Sequence, residues 1–122
     1  MVTQVRPSKA TTIVEYVDLA GRRPFGKWFG RLDAVAAARV TAALVRLSQG
    51  SWAQVKLVGA GVHELRVEFG PGYRVYLGTD GPNIVILLAG GTKSGQQQDI
   101  ARAKATWAAY KRRRQSGDVQ WH

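Results

Sequence analysis

A chain of 122 residues holds enough material for one hydrophobic core and no room for a second. It has no cysteine, which excludes a disulfide framework and thiolate metal sites. The longest apolar run, Ile84 to Ala89, is far too short to span a membrane, and Met1 to Thr12 lacks the apolar segment of a secretory signal, so a soluble cytoplasmic protein with no membrane partner is expected.

A formal net charge of +10 makes nucleic acid the leading class of partner. Residues 1–10 are polar and aperiodic and read as a flexible leader; 11–115 read as a single domain and 116–122 as a flexible tail. Thr11 to Val17 is β-branched and reads as a first strand, ending at the turn-rich Gly21-Arg22-Arg23-Pro24. Phe25 to Leu32 predicts a short helix, and Asp33 is a suitable N-cap for a second helix from Ala34 to about Ser48. The apolar positions of that helix are Val35, Ala38, Val40, Ala42, Leu44, Val45 and Leu47, with Arg39 and Arg46 on a more polar flank.

After Gln49-Gly50-Ser51, Val55 to Val58 predicts a short strand in which Lys56 points opposite to Val55 and Leu57. His63 to Phe69 and Gly72 to Leu77 both alternate and are joined by Gly70-Pro71-Gly72, which predicts a hairpin. Its parity puts Leu65, Val67, Phe69, Tyr73, Val75 and Leu77 on a core face and Glu64, Arg66, Glu68, Arg74 and Tyr76 on the other. Asn83 to Ala89 is continuously apolar and reads as a central strand, ended by Gly90-Gly91. Asp99 to Gln115 predicts a closing helix with Ile100, Ala103, Trp107 and Tyr110 as its packing stripe and basic residues at its end. The expected class is α+β: a small, twisted, mainly antiparallel sheet with an N-terminal helical hairpin and a C-terminal helix packed on it. The arginines are expected on a sheet face that no helix covers.

Three strings are specific in combination: Val58-Gly-Ala-Gly-Val-His-Glu-Leu-Arg66, Gly70-Pro-Gly-Tyr-Arg-Val-Tyr76, and Leu87-Leu-Ala-Gly-Gly-Thr-Lys93 followed by Gln96, Asp99-Ile100 and Ala103. Over about residues 11 to 112 the chain resembles the RelE/ParE toxin superfamily, in particular its HigB-like addiction module killer branch. The resemblance implies the toxin of a type II toxin–antitoxin module, held by a small antitoxin that often carries a helix-turn-helix domain. Members similar to RelE or HigB cut messenger RNA on the ribosome, whereas those similar to ParE poison DNA gyrase.

RNA cleavage by the 2′-hydroxyl builds negative charge on the phosphoryl oxygens and on the leaving 5′-oxygen, and cations lower that barrier. The candidate catalytic set is Arg66 and Arg74 as a phosphate clamp, Lys93 as a further point charge, and Tyr76 to orient the 2′-hydroxyl or stack on a base. Lys56, Glu64, Lys111 and Arg112 are candidate substrate contacts, with Glu64 the foremost carboxylate for a general base. Strand parity places His63 with the core residues, which favours a packed or edge role over a catalytic one. Trp28, Trp52 and Trp107 read as core or antitoxin-facing anchors. No metal-ligand spacing is present, so no cofactor is expected.

Overall fold

The computed structural model describes residues 11–117; the leader 1–10 and residues 118–122, His122 among them, lie outside the described residues. The sequence folds in the order β1 (Thr12–Glu15), α1 (Pro24–Phe29), α2 (Ala34–Ser48), β2 (Val55–Gly59), β3 (Val62–Val67), β4 (Tyr73–Thr79), β5 (Ile84–Thr92), a 3-10 turn (Lys93–Gly95) and α3 (Gln96–Gln115). The five strands form one mixed sheet in the order β1-β5-β4-β3-β2. β1 runs parallel to β5, and every other pair is antiparallel. The α+β class read from the sequence is thus present, with one parallel strand at an edge.

The hairpin forms in the register that its alternation requires. Leu65 lies opposite Val75 and Arg66 opposite Arg74, with Gly70 and Gly72 in the turn at φ values of 56° and 81° that suit glycine. Leu65, Val67, Val75 and Leu77 enter a core with Val85 and Leu87, and α1 and α2 close it through Phe25, Val40, Ala43 and Leu47. Period-two patterning has therefore sorted these side chains correctly.

Helix α2 begins where Asp33 accepts a hydrogen bond from Ala36 N at 2.8 Å. Its buried stripe is Ala36, Val40, Ala43 and Leu47, not the broader set expected: Val35 and Val45 are 57% and 48% exposed. The helix is apolar almost all round, so spacing permits two stripes, 36/40/43/47 and 35/38/42/45. Rotation is settled by contacts outside the pattern, including the Arg39 guanidinium 4.4 Å from the centre of the Phe69 ring.

A second core fills the opposite face, where α3 lays Ala103, Trp107 and Tyr110 over Val62, Tyr76, Ile86 and Leu88. Helices therefore cover both faces of the sheet, and the uncovered arginine face expected from the sequence does not exist. Gly90 and Gly91 also differ from expectation, since they lie within β5 rather than ending it. The indole of Trp28 packs where a Cβ at Gly90 would stand, and the Asp99 carboxylate packs where one at Gly91 would stand. Close approach, not chain reversal, is what these two glycines provide.

Gly78 is similar, because a Cβ there would lie 2.7 Å from the Trp107 ring. Gly78→Ala is expected to lower stability by about 1–3 kcal/mol through overpacking. Urea unfolding measures this, and an unchanged midpoint would contradict the packing of α3 described here.

Candidate functional site

The polar side chains of the hairpin converge beneath the first turn of α3. Arg66 and Arg74 are cross-strand partners, as are Glu64 and Tyr76. Like charges placed directly opposite one another repel, so a carboxylate nearby is the natural compensation. Glu64 supplies it. Its Oε1 lies 3.7 Å from Arg74 Nε and 3.9 Å from Arg66 Nε, and its Oε2 accepts from Gln96 Nε2 at 2.5 Å. The two arginine contacts are ion pairs rather than hydrogen bonds at these distances.

Exposure separates the two arginines. The Arg74 side chain is 5% exposed and forms the floor of the cluster, where Nη1 donates to Tyr73 O at 3.3 Å. Arg66 is 41% exposed and also lies 4.0 Å from Glu68. Only Arg66 of this pair presents a guanidinium to a ligand without rearrangement. Glu64 is fully buried, so it orients the guanidiniums and cannot reach a substrate as a general base in this arrangement.

Tyr76 departs furthest from its expected role. It is completely buried under α3, which leaves no ring face for a base to stack on. Burial, and then the carboxylates of Glu64 and Asp99, push its ionisation well above the ordinary phenol range, with Arg74 opposing them. The hydroxyl therefore stays protonated, close to Glu64 but outside hydrogen-bond geometry.

Lys93 is exposed at the start of the 3-10 turn, and its N–H donates to Gly72 O at 2.8 Å. Lys93 Cβ and Arg74 Nη1 each lie 3.5 Å from the position that a Gly72 Cβ would take, so the two residues flank one glycine. Lys56 stands exposed on β2 opposite Glu64. Lys111 and Arg112 are not brought here. They lie some four turns along α3 from Gln96, about 24 Å at the helical rise, near the end that Arg114 ties to Asp80 at 2.9 Å. Lys111 sits over Trp107, and Arg112 lines a separate groove with Asp18 and Arg113. His63 packs edge-on to Trp52 with ring centres 6.1 Å apart, on the core-side parity.

Gln96 and Asp99 complete the cluster, and the sequence alone assigns neither a role there. Their signal was their place on the first turn of a helix that follows paired glycines. Burial holds the Asp99 carboxyl above its ordinary pKa of 3.8, while Arg102, 3.6 Å away, pulls it down. A raised folded-state value means that the folded chain binds this proton more tightly than the unfolded chain. The contribution of Asp99 to stability is therefore fully present below 3.8 and is lost as pH rises through the raised value. Asp99→Asn is expected to remove that downward slope. Thermal unfolding between about pH 3 and 7 would read it, and an unchanged slope would contradict the assignment.

No family model matches the chain. Over 81 residues it is 43% identical to an uncharacterized protein of Haemophilus influenzae, a stretch covering 66% of this chain and 82% of that protein. The chain belongs to the same family as that protein.

Proposed function

We propose that this family member is the toxin of a type II toxin–antitoxin module and an endoribonuclease that cleaves messenger RNA, acting on the ribosome. The observation that carries the reading is the half-exposed guanidinium of Arg66 beside the buried pair of Arg74 and Glu64, with Lys93 flanking the same turn on a chain of net charge +10. The sequence resemblance supports the same class.

In this reading the 2′-oxygen of a nucleotide attacks the adjacent phosphorus and its proton passes to solvent, while the bond from phosphorus to the 5′-oxygen breaks and the departing 5′-oxygen takes a proton from solvent. The products are a 2′,3′-cyclic phosphate and a 5′-hydroxyl. Arg66 donates to the phosphoryl oxygens as their charge grows, and Lys93 adds a mobile cation at the same rim. Glu64, itself paired with Arg74, faces the Arg66 guanidinium from below. Tyr76 supports this floor and takes no part in base stacking.

The burial of Arg74 and Tyr76 favours one alternative, in which Arg66 belongs to a surface that binds DNA gyrase and the chain is not an enzyme. The module itself is tested by induction in a sensitive host. Growth arrest relieved by co-expressing a neighbouring reading frame, with a stable co-purifying complex, is the expected outcome. Unimpaired growth at high expression would remove the toxin reading under either mechanism.

A further inference from the structure

β1 covers only part of β5. Their pairing runs from Thr12 opposite Ile84 to Glu15 opposite Leu87, with one further bond from Tyr16 N to Leu87 O at 2.9 Å. The chain then turns away, because Asp18 accepts from the backbone of Ala20 and Arg22. It returns to anchor the start of α1 on Glu15, which accepts from Gly26 N at 3.1 Å and pairs with Arg23 at 3.0 Å. β5 meanwhile continues to Thr92. Along Leu88 to Thr92, among the described residues, its β1 side has no strand neighbour. An unpaired rim of this kind offers main-chain donors and acceptors to another chain.

Part of that rim, Leu88 to Gly90, lines a cleft of about 470 Å³ between α1 and α3. Three cations, Lys27, Arg31 and Arg102, line it against one carboxylate, Asp99. All three cations are exposed. Among the described residues Arg102 is paired with Asp99, whereas Lys27 and Arg31 have no ion pair.

We propose that this cleft is a docking site for an extended acidic peptide segment of a partner protein, which adds to the free part of β5 in line with β1. A strand there would satisfy the main-chain groups of the rim, while its carboxylates would face Lys27 and Arg31. Charge argues against a second copy of this chain, since each copy carries a net +10. Single-stranded RNA fits less well. Trp28, the aromatic ring in the cleft, is packed on Gly90 and set against Phe25 and Tyr73 at 5.8 and 6.2 Å between ring centres, so it offers a base no free stacking platform. This inference does not depend on the nuclease reading, and its test reads binding alone.

The probe is a ten-residue peptide alternating valine and glutamate. Its controls are the same peptide with lysine for glutamate, the glutamate peptide with alternate backbone nitrogens methylated, and a single-stranded RNA of ten nucleotides. Titration of the whole chain, with amide hydrogen exchange across β5, should show saturable 1:1 binding of the glutamate peptide and slowed exchange within Leu88 to Thr92. The methylated peptide and the K27E/R31E double variant should each bind at least about tenfold more weakly. Equal binding of the methylated peptide would reduce the effect to diffuse charge attraction and overturn the proposal. So would absence of binding by the glutamate peptide, or protection of the same amides by the RNA in its place, which would assign the cleft to nucleic acid.

Discussion

Arg66→Ala is expected to lower RNA cleavage by about 10²- to 10³-fold, the loss typical of removing one preorganised donor to a developing oxyanion. The fold should survive, because Arg66 is 41% exposed and its partners stand at 3.9 and 4.0 Å, beyond hydrogen-bond range. The Glu68 pair, exposed on both sides, contributes about 0–1 kcal/mol, and the buried Glu64 keeps its nearer partner Arg74 at 3.7 Å. Arg66→Lys keeps the charge and loses the fork of donors, so intermediate activity is expected. The check is single-turnover cleavage alongside an unfolding curve. Full activity in Arg66→Ala would remove this residue from the mechanism.

Arg74→Ala should fail differently, by unfolding the chain. Removing the guanidinium leaves the fully buried Glu64 carboxylate, among the described residues, with Gln96 and the more distant Arg66 for compensation. Breaking a buried ion pair from one side costs about 3–5 kcal/mol, whereas replacing both partners by uncharged groups of similar size is often near neutral. The double variant Arg74→Met with Glu64→Gln is therefore expected to recover most of the stability lost in Arg74→Ala. Denaturant unfolding of both variants checks this. If Arg74→Ala proves as stable as the parent, the cluster contributes no structural coupling and Arg74 must be more accessible than its 5% exposure indicates.

Strand parity made the hairpin readable, since a period of two assigns Leu65, Val67, Val75 and Leu77 to one side whatever lies beyond. Parity says which side a residue takes, not whether that side meets water. Polar side chains on one parity suggest a solvent-facing set; here Glu64 and Arg74 pair beneath α3 beside the buried Tyr76, and Arg66 stays half-exposed. The helix stripe Ala103, Trp107 and Tyr110 was also readable. The face on which it packs was not, because a stripe carries no address. Gly90-Gly91 misled for a local reason. Glycine serves both to end strands and to admit a close neighbour, and the neighbours, Trp28 and Asp99, are distant in sequence. For Lys111 and Arg112 the sequence offers only charge, and charge does not fix position along a helix of 20 residues.

The chemistry of RNA ends formed in a translating extract by the purified chain, with Arg66→Ala as the paired control, separates a nuclease from a gyrase poison. Cuts at defined positions in messenger RNA are expected, bearing 2′,3′-cyclic phosphate on one fragment and 5′-hydroxyl on the other, and largely absent with the variant. Intact transcripts together with trapped complexes of gyrase on cleaved DNA would contradict the nuclease reading, and would make Arg66 part of a binding surface rather than a catalytic residue.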